Sequence, residues 1–462
     1  MMRRYSRWMV WSLVLGMSVP VWGQARKGLV VVAPDALRDA VAEFVKFKSE
    51  QLPTELVSLQ EVLKSSGGVD DPERLKRFLF SRWKEKQIGY VLLVGDADVM
   101  PVRYMVLDRV TKEAFDYSFY ASDLYYADLA KADGSFEDWN AQKEGFHARY
   151  FGEVRGEKNK KDPINYDQVH YVPEVAVGRW PVSTAAQAKL VAEKSMRYER
   201  GVLSGEKTGM SKAALIATGG WVDARGAMDQ MAGMLSGKWE VSKWYYADPR
   251  RNDHTEVPNE KAVVGILNSG AGLVMHTGHG TGNEWEQCFS IKSLKAVKNE
   301  DRLPVMISAG CSTAVLANEP PYTPYLDEMG KEHEGTRKKE VFDSPPPAPA
   351  AYQTGRFNET GLGEALVRGG PNGAVAYIGC NTGSQPCGLT LLMGFAATLQ
   401  KEKEPRLGDC WSGAVTYYFE HERLAKLVPN SDWYPPSIFF QAMKFVVFGD
   451  PSMRLPGEGG GK

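Results

Sequence analysis

The stretch Leu273-Val-Met-His276-Thr-Gly-His279-Gly280 places two histidines at the end of a short apolar run. A second run, Val305-Met-Ile-Ser-Ala-Gly310-Cys311, ends in the same way on a cysteine. Continuous apolar runs of this length are typical of parallel strands that are buried on both faces of a sheet. Functional side chains of such sheets collect at the carboxyl ends of the strands. The two runs therefore predict strands that, if they are neighbours, bring His279 and Cys311 to one edge of the sheet.

Similar apolar runs recur along most of the chain, separated by stretches with helical spacing. The spacing of Leu37, Val41 and Phe44 after the run 29–33 is one example. This alternation predicts an α/β fold with two doubly wound, mostly parallel sheet subdomains. We assign residues 24–204 to an N-terminal α/β subdomain and 205–456 to a second one. The remaining apolar runs are 90–95, 174–178, 213–218 and 374–379.

The overall charge limits the partners that the protein can have. The chain has 462 residues, with 56 basic and 57 acidic ones, for a formal net charge of −1. Nucleic acids and anionic membranes require a basic face, so we expect neither as the main partner. A chain of this length can bury a sizeable core without disulfides or metals.

The first residues have the pattern of an export signal. Arg3, Arg4 and Arg7 precede an uncharged run from Trp8 to Val21, and a small residue, Gly23, follows. This order predicts a signal peptide over residues 1–23 and a secreted or periplasmic protein. An uncleaved anchor is the alternative, but the run is shorter than the roughly 20 residues of a spanning helix. We therefore expect no stable membrane insertion after cleavage.

The residues at the two strand ends suit nucleophilic catalysis. A cysteine thiolate attacks carbonyl carbons, and a nearby imidazole such as His279 can take and return the proton. The backbone N–H groups of Gly280 and Cys311 could hold the oxyanion of a tetrahedral intermediate. A packed cysteine and a tight glycine turn are the simpler interpretation of the same residues. Cys380, which ends another apolar run, is the rival nucleophile.

Six motifs in the same order resemble the gingipain family of cysteine peptidases and cover almost the whole chain after residue 23. This resemblance implies two subdomains, the second of them caspase-like, and an endopeptidase that cleaves proteins or peptides through a dyad of Cys311 and His279. The motifs are YVLLVGDADVMPV at 90–102, SDLYY at 122–126, PEVAVGRWP at 173–181, HGTGNEW at 279–285, SAGC at 308–311 and FGDPSMRL at 448–455.

The resemblance also suggests which residues contact the substrate. Trp285 lies six residues after His279, as a matching tryptophan does in gingipains. Arg-selective gingipains carry an Asp in the second unit, for which Asp229 is the nearest candidate and Asp223 another. Thr218 stands where gingipains carry a Glu near the catalytic His, so a backbone carbonyl could orient His279 instead.

No cofactor is required by these motifs, but structural calcium is a further expectation from the resemblance. Oxygen-rich loops with glycine can bind calcium, although a solvated acidic loop has the same composition. The candidate ligands are Asp123, Asp128, Asp133 and Asp138. No metal ligand is assigned among the histidines, because His276 lacks a third ligand nearby and is interpreted as packed.

Two further features leave alternatives open. Five cysteines permit a Cys380–Cys387 disulfide or five packed thiols. The segment 319–357, which is rich in proline and charge and contains Arg337-Lys338-Lys339, predicts a long exposed loop: a flap, an activation-cleavage site or a passive insertion.

A different class of function also remains open. An inactive gingipain-like fold could serve as an extracytoplasmic binding or assembly protein, and Thr218 supports that alternative. A nucleotide-binding sheet is disfavoured because Pro34-Asp35-Ala36, rather than a Gly-rich turn, follows the first apolar run.

Overall fold

A computed structural model describes residues 28–106, 119–140, 143–144, 150–152, 169, 171–205, 211–246, 257–343, 346–427 and 438–457. The signal peptide that we predict over residues 1–23 lies outside these ranges. Among the described helices, none is long and apolar enough to cross a membrane.

The strands are numbered along the chain. They are β1 (Leu29–Ala33), β2 (Thr54–Ser58), β3 (Tyr90–Val94), β4 (Tyr104–Val106), β5 (Phe119–Ala121), β6 (Ala176–Trp180), β7 (Lys212–Ala217), β8 (Glu240–Tyr245), β9 (Leu273–Thr277), β10 (Gly280–Thr281), β11 (Glu284–Trp285), β12 (Phe289–Ser290), β13 (Val305–Ser308), β14 (Tyr325–Leu326), β15 (Glu332–His333), β16 (Ala376–Cys380) and β17 (Phe445–Phe448).

The α-helices are numbered in the same way. They are α1 (Asp35–Ser49), α2 (Leu59–Ser65), α3 (Asp71–Lys86), α4 (Leu124–Ala127), α5 (Ala185–Leu203), α6 (Arg225–Leu235), α7 (Glu260–Asn268), α8 (Leu362–Arg368), α9 (Gly388–Lys401) and α10 (Leu407–His421).

Ten strands form one central sheet in the order β2-β1-β3-β6-β17-β16-β13-β9-β7-β8. All its neighbours are parallel except β16 and β17. Side chains alternate between two cores, because successive residues of a strand point to opposite faces. In β1, Val30 and Val32 pack into one core, and Leu29 and Val31 pack into the other. The predicted α/β fold with a mostly parallel sheet is confirmed.

Strand β17, close to the end of the described chain, joins the strands of the two predicted subdomains into this single sheet. It pairs antiparallel with β16 on one side and parallel with β6 on the other. The N–H of Gly449 donates to the carbonyl of Arg179 at 2.9 Å across the second junction. The closing FGDP motif is thus a structural link between the two halves of the sheet.

A buried ion pair joins two of the six motifs, SDLYY and PEVAVGRWP. Arg179 donates from Nε and Nη2 to the two carboxylate oxygens of Asp123, at 2.8 and 2.7 Å. The same guanidinium also donates to the carbonyl of Gly95 at 3.1 Å. Bidentate geometry of this kind compensates the cost of burying both charges.

The segment 319–357 is folded against the rest of the protein, apart from 344–345, which lie outside the described residues. It contains the antiparallel pair β14–β15 and returns to the first half of the sheet. Val102 N–H donates to Ala351 O at 2.8 Å, and Gln353 N–H donates to Ala97 O at 2.9 Å. The prediction of a long exposed loop was therefore wrong for most of its length, although Arg337-Lys338-Lys339 is exposed.

None of the five cysteines forms a disulfide, so the alternative of packed thiols holds. Four of them are buried, and Cys311 is half-buried. Burial raises the pKa of both Cys288 and Cys380 to about 12.

Candidate active site

The strands that precede His279 and Cys311 are neighbours, which is the condition under which we expect both residues at one edge of the sheet. β9 and β13 are parallel, and His276 is the register partner of Ser308. His279 lies three residues after His276, and Cys311 lies three residues after Ser308. The two loops therefore leave the same edge of the sheet side by side.

Glycines allow these loops to touch. A Cβ atom on Gly280 would lie 2.8 Å from the carbonyl oxygen of Cys311 and 2.5 Å from Cγ2 of Thr313. Gly278 has a φ of +149°, and a Cβ there would lie 1.8 Å from Oγ1 of Thr218. A larger residue at either position would push the histidine loop away from its neighbours.

The ring of His279 is oriented by the backbone. Its Nε2 lies 2.9 Å from the carbonyl oxygen of Gly220, in the turn after β7. A carbonyl can only accept, so Nε2 carries the proton of the neutral ring and Nδ1 remains for proton exchange. The hydroxyl of Thr218, at the position of the family's Glu, is buried without a hydrogen-bond partner. The group that orients the His279 ring is thus a backbone carbonyl.

A buried layer beneath the two loops ties the strands together. His276 Nδ1 lies 2.9 Å from Ser308 Oγ, which also accepts the N–H of Gly310 at 3.1 Å. The His276 ring is fully buried, and this burial lowers its pKa to about 3. His276 is therefore a neutral, packed residue, as its isolation from other ligands predicted.

Trp285 belongs to this buried layer, which corrects its assignment as a substrate contact. Its side chain is 0% exposed, so it has no surface to offer a substrate. The ring stacks on His276 with the centroids 4.3 Å apart, and Nε1 donates to the hydroxyl of Tyr377 at 2.9 Å. Trp285 supports the histidine loop from below.

The two acidic candidates for substrate selection both have partners. Asp229, on α6, accepts from Lys243 Nζ at 2.7 Å and from the Tyr245 hydroxyl at 3.2 Å. Asp223 is hydrogen-bonded to Arg225 and to the Tyr246 hydroxyl, and these bonds hold its pKa well below the usual range. A role for Asp229 in choosing the substrate stays a prediction.

The loop after β16 contributes groups to the site that the sequence interpretation missed. Its Ser384 N–H donates to the Sγ of Cys311 at 3.3 Å, and its Thr382 carbonyl accepts from Ser312 N–H at 2.8 Å. β16 lies next to β13, so the rule about carboxyl ends of strands could have pointed to this loop. The only active-site candidate that the sequence interpretation took from this region was Cys380, and that side chain is 0% exposed.

Within the described residues, no group of three or more His, Cys, Asp or Glu side chains is arranged to hold a metal ion. The four candidate calcium ligands have separate partners. Asp123 pairs with Arg179, Asp128 with Trp139, Asp133 with Ser135 and Asp138 with Lys143. These four carboxylates do not fit a shared calcium site, and structural calcium stays a prediction.

A half-buried thiol and a backbone-oriented imidazole lie on touching loops at the carboxyl ends of adjacent parallel strands, which is the arrangement expected of a cysteine peptidase. The model of peptidase family C25 matches residues 24–456, and the chain belongs to this family. A search of curated protein sequences found no match.

Solved structures with the same fold agree with this family. The Arg-specific cysteine proteinase gingipain R has a TM-score of 0.61 and 17% identity, over 93% of this chain and 78% of that one. The complex of the RgpB pro- and mature domains from Porphyromonas gingivalis has a TM-score of 0.59 and 18% identity, over 92% of this chain and 79% of that one. At this identity, the likeness shows the fold.

Proposed function

We propose that this protein is an endopeptidase that cleaves proteins or peptides outside the cytoplasm, with Cys311 as nucleophile and His279 as its acid/base partner. One observation carries the proposal. Gly280 packs directly against the Cys311 backbone, and the carbonyl of Gly220 orients the ring of His279, the residue directly before Gly280.

Each step of the proposed reaction uses a group at this edge of the sheet. His279 Nδ1 accepts the proton of the Cys311 thiol, and the thiolate attacks the substrate carbonyl carbon. The N–H groups of Gly280 and Cys311 donate to the resulting oxyanion. His279 then protonates the departing amine, and water hydrolyses the thioester to release the acid and restore the thiol.

The location and the cleavage preference are further parts of the proposal. The charged start and apolar run of residues 1–23 support export. Asp229 is proposed to favour a basic residue before the cut, through the negative charge that now pairs with Lys243. Asp229→Ala would then lower kcat/KM for Arg or Lys substrates about tenfold relative to neutral ones, whereas equal losses for both would refute this role.

The test of the main proposal is cleavage of a mixed peptide library by the protein lacking residues 1–23, with reductant, in the presence and absence of calcium. Cys311→Ala and His279→Ala should abolish the cuts. Cys380→Ala is the matched control, because it removes a buried cysteine at the neighbouring strand end and should leave cleavage intact.

Two results would contradict the proposal. Cuts that persist in Cys311→Ala would assign them to another nucleophile. A folded wild-type protein that neither cleaves the library nor is labelled at Cys311 by a peptide electrophile would support the inactive binding or assembly protein.

A further inference from the structure

Among the residues that the structure describes, the amide of Ser384 donates a hydrogen bond to the candidate nucleophile. The distance from Ser384 N to Cys311 Sγ is 3.3 Å, within the range for a hydrogen bond to sulfur. The Cys311 thiol in turn donates to the carbonyl oxygen of Ser384, over a longer distance of 3.8 Å. A donor that points at a thiol stabilises the charged thiolate more than the neutral form.

A buried side chain holds this amide in place. Gln441 is 0% exposed and lies in the turn that precedes β17. Its Nε2 donates to Ser384 Oγ at 3.0 Å, and its Oε1 accepts from Gln385 N–H at 3.1 Å. The two ends of the Gln441 side-chain amide therefore bind two consecutive residues of the loop. These bonds restrict the movement of the Ser384 N–H relative to the Cys311 sulfur.

Two other contacts restrict the loop from different sides. The ammonium of Lys444, also buried, donates to the carbonyl of Gly383 at 2.6 Å. The N–H of Ser312, directly after the nucleophile, donates to Thr382 O at 2.8 Å. The loop is thus tied both to the turn before β17 and to the cysteine loop that it faces.

We propose that the Ser384 N–H stabilises the Cys311 thiolate and that Gln441 is the positioning residue that aims this N–H at the sulfur. The proposal rests on the proposed function in one respect, the role of Cys311 as nucleophile. It adds a donor from a third strand end to the pair of loops after β9 and β13.

Several titratable groups surround the sulfur and must stay unchanged in a test. His279 lies on the loop after β9, and Glu319, whose pKa burial raises, accepts from Ser312 Oγ at 3.3 Å. Lys444 binds Gly383, and the buried Cys380 ends β16. The variants below alter none of these groups, so any change in thiolate population reports the hydrogen bond.

The experiment measures the rate of Cys311 alkylation by iodoacetamide against pH in the protein lacking residues 1–23, by mass spectrometry of the peptide that contains Cys311. Ser384→Pro removes the N–H, whereas Ser384→Ala keeps it. Gln441→Ala removes both loop contacts. Gln353→Ala is the matched control, because Gln353 is equally buried and binds the backbone of Leu326 instead.

Ser384→Pro and Gln441→Ala should move the midpoint of the alkylation profile upward by about one pH unit, which corresponds to the loss of one hydrogen bond to a charged group. Ser384→Ala should shift it by less than half as much, and Gln353→Ala should not shift it. An unchanged midpoint in a folded Gln441→Ala protein would overturn the proposal, even if Ser384→Pro fails to fold.

Alkylation needs no peptidase activity, so the two proposals fail separately. A protein that cleaves no peptide but shows the expected shifts would retain the positioning role of Gln441 and lose the proposed function. A protein that cleaves peptides but has identical alkylation midpoints in all variants would retain the proposed function and lose the positioning role of Gln441.

Discussion

The Nε2 atom of His279 lies 2.9 Å from the carbonyl oxygen of Gly220, in a turn where Gly219 and Gly220 both have positive φ angles of +76° and +78°. The orientation of the candidate acid/base residue thus depends on a backbone conformation that favours glycine. Thr218 begins the same turn and supplies no carboxylate. The conformation of the turn therefore decides how the His279 ring is oriented.

Gly220→Ala should lower kcat/KM for peptide cleavage by about tenfold or more. Alanine is strained at this φ by about 1 kcal/mol, and its Cβ would lie 3.4 Å from Cδ2 of His279. The backbone strain displaces the carbonyl that orients the ring, and small displacements of a catalytic group are costly. Gly226→Ala, which meets open space on α6, is the control and should keep full activity. Equal kcat/KM values for the two variants would refute the orienting role.

His276 should make the stability of the protein depend on pH below neutrality. Burial lowers its pKa from 6.5 to about 3. Between these two pH values the unfolded chain therefore binds a proton that the folded protein does not bind. The stabilising contribution is complete above pH 6.5 and is lost as the pH falls toward 3. It amounts to a few kcal/mol, roughly 1.4 for each unit of pKa shift.

Urea unfolding of the wild type and of His276→Gln between pH 3.5 and 7 measures this contribution. The free energy of unfolding of the variant should fall less steeply with decreasing pH. His421→Gln, at an exposed position on α10, should remain parallel to the wild type. Parallel curves for His276→Gln would show that burial does not lower the pKa of this ring below its value in the unfolded chain.

Lys48→Met should destabilise the protein by about 3–5 kcal/mol, because it leaves buried carboxylates without a counter-charge. Lys48 Nζ lies 2.8 Å from Glu199 Oε2 and 3.1 Å from Asp450 Oδ2, and all three side chains are at most 1% exposed. Asp450 belongs to the FGDP motif, so this cluster links α1 and α5 to the end of β17.

The comparison variant for this cluster is Lys243→Met, which breaks the exposed pair with Asp229. Pairs in water contribute at most about 1 kcal/mol. Urea unfolding at pH 7 should therefore separate the two variants clearly. Similar losses would mean that the buried cluster relaxes or admits water once Lys48 is removed.

The location of the candidate dyad was predictable from local patterns, whereas its supporting contacts were not. His279 and Cys311 each follow a continuous apolar run, and such runs form neighbouring parallel strands here. The partner of His279 is 59 residues away in sequence, and Ser384 is 73 residues from Cys311. Contacts of this range depend on strand order, which hydrophobic periodicity does not specify.

Trp285 shows the same limit for a single side chain. It stands between Glu284 and Glu286, and these polar neighbours are consistent with an exposed aromatic residue. In the structure it pairs with Gly280 across β10 and β11, and its side chain lies on the inner face against His276. Which side chains of such a short strand face the core depends on the residues from other parts of the chain that pack against it.

The sequence by itself determined the α/β class, the buried strands and the two loops that carry the candidate dyad, because each depends on residues close together in the chain. Only the tertiary structure decided that one sheet spans both halves, that a carbonyl orients His279 and that Ser384 faces Cys311. These relationships arise when β17 and β16 take their places beside strands from distant parts of the chain. Their physical basis is long-range packing and hydrogen bonding, which no local pattern of residues encodes.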